Sequence, residues 1–513
     1  MSCLPPPGKF HAFYWSIKDY GQAGLCREDL WFTTCCLRSN KVNLLDGGLS
    51  ALTREVVALF DRFKSGVLLT FLSGREFLFG SVSVLVGDEG ALKSMYAVKG
   101  ASGTIPCIFC WNVVQARSTL ADHDETGHLQ PHTCTDLSKI KCRSDADFAN
   151  AALLLTTEKA RRNKKEFETL EQSLGINFCS EGVLFSPSCH LKPISHTMYD
   201  WLHVYLVNGM FQAHFGLVMP HLAEAGFGHV ALVAFLKTFT GPKFQSSNMK
   251  AAIQTFEKSK SKEAWKPSAS EALCMYPLLR IAVMEKRGRM NDGVAHSFLL
   301  LCGVLDLLVS IGKDGKVDHS RLGDLIVRHL EAYIAAFGGD EFFPKCHYSI
   351  HLPELFRKHG TLISCWTHER KHKQLKMWAN NLANAGAWFE ESVLREVTQT
   401  CFNALSSFSP LSVVLINPQP CKKHLKDTVL EVWGTMDVVS SSGANVNGLT
   451  VYSGDVVLLE LDGSDCVAEV VLHLQLPNGT VYSIITPWHG LGNNMFKAGD
   501  GSRFAETKKL VLP

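Results

Sequence analysis

The chain has 513 residues, 46% of them hydrophobic and 19% charged, enough to bury a large core and too many for one ordinary domain, so two or three globular units are expected. Its 51 Lys and Arg face 49 Asp and Glu, and a net charge of +2 excludes a protein drawn onto nucleic acid by its overall field, leaving such contacts to local patches. The 17 cysteines, an odd number in scattered positions, exclude a small disulfide framework and suit a reducing compartment.

The opening Met-Ser-Cys-Leu-Pro-Pro-Pro lacks the basic and apolar regions of a signal peptide. Phe10 to Ile17 and Trp31 to Leu37 are rich in aromatic and β-branched residues around a polar, glycine-containing stretch, which predicts two neighbouring strands. Leu52 to Phe63 has helical spacing. Ser81 to Val86 is a short apolar run that stops at Gly87-Asp88-Glu89-Gly90 and gives way to a helical Ala91 to Tyr96, a strand feeding a helix with an acid at the junction. A glycine-rich turn then leads to Cys107-x-x-Cys110 and a polar His/Cys/Asp-rich loop ending near Asp147. Residues 150 to 175 read as one charged helix, and Tyr199 to about Phe408 has helical periodicity nearly throughout. Its most apolar run, Phe298 to Ile311, contains Asp306 and falls short of the roughly 20 residues of a membrane span, so no membrane contact is expected. Beyond Pro418, Val451 to Leu461, Val467 to Leu476 and Val481 to Thr486 alternate apolar and polar residues around Asp-Gly and Asn-Gly turns, predicting a small antiparallel β domain with a boundary near residue 422.

Two kinds of metal chemistry are written in these segments. Two-metal phosphoryl transfer needs carboxylates delivered from separate elements to one point, and Asp88, at the carboxyl end of an apolar strand, is where such a ligand leaves an α/β core. The same position also suits a plain helix cap. Cys107 and Cys110 have the spacing of a zinc knuckle, with His123, His128, His132, Cys134 and Cys142 as candidates for the other half; His132 and Cys134 are the preferred pair, and two unliganded cysteines are the alternative. His347 and His351, one helical turn apart, suit a metal less well than a partly buried helix face. Local basic clusters occur at Lys159 to Lys165, Lys258 to Lys262, Lys286 to Arg289 and around Glu369, where Arg370, Lys371, Lys373 and Lys376 are the favoured phosphate contacts. Walker, nucleophile-elbow, dinucleotide and kinase motifs do not occur, which weakens other enzyme readings.

Gly87-Asp-Glu-Gly-Ala-Leu-Lys with Cys107-x-x-Cys110, Tyr199-Asp-Trp-Leu-His-Val-Tyr-Leu-Val-Asn-Gly, Lys345-Cys-His-Tyr-Ser-Ile-His-Leu-Pro and Cys365-Trp-Thr-His-Glu-Arg-Lys-His-Lys resemble, in order and spacing, the CACTA (En/Spm) and Plavaka-like branch of DDE/D transposases. The resemblance covers about residues 10 to 400. It implies an α/β RNase H-like core, over residues 8–115 and closed by the Glu369 helix, with a large all-α insertion within 151–408; the 116–150 loop and a small all-β domain over 423–513 are read from the residue pattern alone. It implies Mg²⁺- or Mn²⁺-dependent DNA cleavage and transfer, with Asp88 and Glu369 as the second and third catalytic carboxylates. Asp200 and His203 become a supporting pair; their plain alternatives are a helix cap and a satisfied histidine, and for Glu369 a solvated charge. DNA of transposon ends, a homo-oligomer and a nuclear location follow from the same resemblance, and the β domain is expected to meet a peptide or chromatin partner. In that family the first catalytic aspartate precedes the opening hairpin, whereas Asp19 and Asp29 lie in or after it here. The expectation is therefore a core incomplete at its N-terminus with impaired catalysis, or a non-enzymatic DNA- or protein-binding descendant.

Overall fold

The computed structural model describes residues 9–71, 74–239, 246–259, 265–314, 317–381, 388–406, 413–446, 449–461, 464–492, 495–507 and 510. They form two compact units, Met1–Leu232 with Ser259–Phe402, and Val233–Lys258 with Asn403–Pro513.

In the first unit the two opening strands pair antiparallel, Phe10–Trp15 on Phe32–Arg38, with an irregularity between Phe13 and Tyr14. Phe10 and Cys36 of this hairpin pack with Leu375 and Ala379 of the helix Trp366–Asn381, and with Phe389, Val393 and Val397 of the helix Phe389–Ser406. Residues more than 300 positions apart thus share one apolar cluster, and the Arg38 guanidinium and Lys41 ammonium close its edge on Glu390 at 2.6 and 2.7 Å. This packing seats the helix that carries Glu369.

Of the strand expected over Ser81 to Val86, only Leu85–Gly87 forms a ladder, because its partner Thr197–Tyr199 is three residues long and leaves the preceding residues nothing to pair with. The pairing is parallel, Leu85 opposite Thr197 and Gly87 opposite Tyr199. Each strand then runs through an aspartate into a helix, Asp88 into Glu89–Tyr96 and Asp200 into Trp201–Tyr205. Two carboxylates therefore leave adjacent strand ends on the same side of the ladder.

The charged segment read as one helix is two, Asp145–Glu158 and Lys164–Leu174. Ser144 with Asp147 and Asn163 with Glu166 form reciprocal capping boxes, and the second box starts a new helix where one continuous helix was expected. Beyond them Met210–Glu224, Ala269–Lys286, Asp292–Asp314 and His319–Phe337 build a helical core. Asp306 does not interrupt its helix: it accepts from Arg280 at 2.7 Å and from the Tyr276 hydroxyl at 3.1 Å. Asp292–Gly312 is thereby long and apolar enough to cross a membrane by length and composition, which corrects the shorter run read from sequence. Phe298, Leu301, Leu305 and Leu308 are fully buried among protein side chains, the packing of a core helix.

In the second unit Val456–Leu461, Ser464–Gln475 and Val481–Gly492 form an antiparallel meander, and Val413–Ile416, Gly443–Val446 and Leu449–Tyr452 a second sheet. Val457, Ala468, Val470 and Ile485 are its innermost residues. A helix, Lys423–Trp433, corrects the all-β expectation: Leu425, Val429 and Trp433 recur every four residues, Val429 is fully buried, and the Trp433 ring lies 4.8 Å from Tyr482 and 4.6 Å from Phe504.

His473 is the buried polar centre of this unit. Its Nε2–H donates to the Val451 carbonyl at 3.0 Å, so Nδ1 accepts from the Ser483 hydroxyl at 2.8 Å, and Thr507 completes the chain at 2.8 Å from Ser483. Burial lowers the His473 pKa, outweighing the Val451 carbonyl and Asp455. A neutral buried histidine gives stability that is full above its unfolded value of about 6.5 and is lost as pH falls toward the folded value. The urea midpoint of this unit should therefore drop between about pH 7 and pH 5, and His473→Gln should flatten that slope; an unchanged slope would assign it to other groups.

Candidate metal centre and acidic cluster

Cys107 and Cys110 lie on a loop held by Asn112, whose buried amide donates to the carbonyls of His128 and Lys139 and accepts from the Lys141 amide, all at 2.8 Å. Arg143 adds a backbone bond to Phe109 at 2.7 Å. Against this loop stands the turn of helix Pro344–Ser349 and the residues after it, which aim His347 and His351 inward. The ligand atoms of Cys107, Cys110, His347 and His351 all lie within 4.8 Å of one another, and all four residues are buried. His351 Nε2 is 3.3 Å from both sulfurs, His347 Nε2 is 3.4 Å from the Cys110 sulfur, and the two nitrogens are 3.4 Å apart. A tetrahedral zinc with Zn–S near 2.3 Å and Zn–N near 2.0 Å sets such edges at roughly 3.3–3.8 Å, so the set has the size and donor chemistry to hold a metal ion such as zinc.

The charges agree with a site built for thiolate. Burial opposes ionisation of Cys107, but a hydrogen bond from Cys110 and the nearby His351 and His347 pull its pKa well below the ordinary value. Burial and the Cys107 charge push Cys110 well up. A bound cation would favour the thiolate form of both.

His132 and Cys134, the preferred partners on sequence grounds, do not join this group. The His132 Nδ1 accepts from the Ala116 amide at 3.0 Å and its Nε2 donates to the Phe342 carbonyl at 2.9 Å, so both nitrogens are spent on structure. The Cys134 sulfur turns to the Asp136 carbonyl at 3.7 Å. His347 and His351, expected as a helix face, take their place.

Tyr199 links this centre to the acids. Its hydroxyl lies 3.6 Å from the Cys107 sulfur and accepts from the Ile108 amide at 3.3 Å, and its ring stacks on Tyr348 at 4.7 Å. The next residue is Asp200, which is 2% exposed. One Asp200 oxygen accepts from the Leu202 amide at 3.0 Å as a helix cap, and the other takes the Nδ1–H of His203. His203 Nε2 in turn lies 3.5 Å from a Glu369 oxygen. Asp88 caps its own helix through Ala91 at 2.6 Å.

Burial alone would lower the His203 pKa; the Asp200 hydrogen bond and charge, aided by Asp88 and Glu369, raise it instead. Glu369 is raised by burial first, with Asp200 and Asp88 adding to it against His203 and Lys373. Asp88, Asp200, His203 and Glu369 therefore share one electrostatic neighbourhood, and Cys365 borders it beside Asp200. Asp200, His203 and Cys365 place one ligand atom each within 4.8 Å of one another, a second group that could hold a metal ion.

Of the four basic candidates, Lys373 and Lys376 are exposed. Arg370 sits 3.6 Å from Glu28 and is half exposed. Lys371 is 7% exposed, and burial lowers its pKa, so it is a packed side chain and not a phosphate contact. Sequence reasoning missed Cys365, whose only signal was its place four residues before Glu369. Compared with known proteins, the sequence matches no family model and no curated protein.

Proposed function

We propose that the chain is a transposon-derived, DDE/D transposase-like protein whose acidic cluster binds Mg²⁺ or Mn²⁺ for phosphoryl transfer on DNA, and whose Cys₂His₂ group holds zinc as a structural clasp. One observation carries the reading: His203 joins Asp200 through one ring nitrogen and meets Glu369 through the other, with Asp88 leaving the neighbouring strand end. In this reading Asp88 and Glu369 bind the cation, while Asp200 fixes His203 beside it. A cation held there would supply Lewis-acid polarisation of a phosphoryl oxygen and of the attacking water or 3′-hydroxyl. Lys373, Lys376 and Arg370 contact the phosphate backbone, and an RNase H-like core, with its location in the nucleus, belongs to the same proposal.

A non-enzymatic DNA- or protein-binding role is favoured by one feature, that His203 already balances two of the acids as ion pairs. Calorimetric titration with Mn²⁺ separates the two. Asp88→Asn and Glu369→Gln should each weaken Mn²⁺ binding by at least about tenfold, the loss that even an outer-shell partner gives, and should abolish any Mn²⁺-dependent nicking of plasmid DNA. Unchanged Mn²⁺ affinity in both variants would sink the enzymatic reading.

A further inference from the structure

The opening hairpin, the helix Gly48–Asp61 and the segment leading into Leu85 border a cavity of about 580 Å³. That volume is within the range of ligand sites, roughly 300–1,000 Å³. Its walls are unusually aromatic, with Tyr14, Trp15, Trp31, Phe60, Phe63 and Phe79 all facing it. Two polar atoms among these walls, Thr34 Oγ1 and His368 Nε2, are buried with no hydrogen-bond partner among the described residues. His368 stacks on Tyr14 at 5.8 Å and meets the edge of Trp31 at 4.2 Å. The tautomer decides whether its Nε2 donates or accepts, so that atom can meet either kind of partner.

Two walls of the cavity are elements of the acidic cluster. His368 immediately precedes Glu369 on one helix, and Val86 lies two residues before Asp88 on the strand that ends there. We propose that this cavity receives one unstacked base of the DNA strand whose backbone lies at the acidic cluster, an inference that rests on the DNA-processing reading above. A purely apolar ligand would fill the space and leave Thr34 and His368 unsatisfied. A nucleobase has π-faces for the aromatic walls, the stacking contact that holds single strands, and edge donors and acceptors for those two groups. The sugar and phosphate then remain outside, on the side of Asp88 and Glu369.

The test is fluorescence-anisotropy titration of the full chain with a single-stranded oligonucleotide and with the same strand carrying an abasic residue, without added Mg²⁺. The intact strand should bind roughly 5- to 150-fold more tightly, the effect of one base–aromatic stack. Phe79→Ala, at a ring 66% exposed and so safe for folding, and Thr34→Val, close in shape, should each reduce that preference. Equal affinity for the two strands would overturn the base pocket, leaving backbone contact alone. So would failure to bind either strand. Mn²⁺ titration of the wild type and Glu369→Gln tells whether such a failure is confined to the pocket: Mn²⁺ binding lost in the variant keeps the acidic site, and no Mn²⁺ binding by the wild type removes the reading beneath it as well.

Discussion

Replacing Cys107 by serine should empty the Cys₂His₂ clasp and lower the melting temperature of the first unit by roughly 10 °C or more. The size follows from comparing two free energies. Structural zinc contributes on the order of 10–16 kcal/mol of apparent binding energy, whereas a folded domain is stable by only about 5–15 kcal/mol in all. Losing the ion also strands a buried thiol and two buried imidazoles among apolar neighbours. Atomic emission on purified protein, read beside thermal melts, gives the answer. Wild type should carry one zinc per chain; Cys107→Ser and His351→Ala should lose it; His132→Ala and Cys134→Ser should keep it. Zinc retained in Cys107→Ser, or no zinc in the wild type, would refute the clasp.

Asp200→Asn should cost about 3–5 kcal/mol, because it keeps the helix cap but leaves the His203 imidazolium without its buried counter-charge. The pH dependence distinguishes this cause from a general packing defect. His203 has a raised folded pKa, so the pair contributes fully below the unfolded value of about 6.5 and its contribution fades as pH rises through the folded value. The penalty of Asp200→Asn should accordingly be largest near pH 6 and shrink as pH rises through the folded value of His203, as read from urea midpoints. A penalty independent of pH would mean that His203 is neutral in the folded protein. Glu369→Gln, at a side chain 43% exposed, should cost far less stability at any pH.

Local pattern made some of this legible in the sequence. Aromatic and β-branched runs marked the hairpin, an apolar stretch stopping at Asp88 marked the strand-to-helix junction, and alternation marked the late strands. Spacing of two residues marked Cys107 and Cys110 as half of a group that could hold a metal ion. The other half was misplaced because nearness along the chain favoured His132 and Cys134, while the three-dimensional partners lie more than 230 positions away, and only the packing of a helical turn against the loop brings them in. Lys371 failed for a related reason. A charge run looks solvated in a sequence, but one of these four basic residues, Lys371, packs inward where its helix lies on the core. The helix Lys423–Trp433 had a readable four-residue apolar repeat that the surrounding alternation obscured.

The span of the clasp also sets a schedule for synthesis. Cys110 and His347 are 237 residues apart, and Cys107 and His351 are 244. At about 5–20 residues per second, the two cysteines are added to the chain roughly 12 to 48 s before either histidine is. During that interval they have no native partner, so they are open to oxidation or to a borrowed metal, and the clasp can close only after the intervening helices have been made. A cell growing under oxidative stress would then lose newly made chains while sparing those already folded.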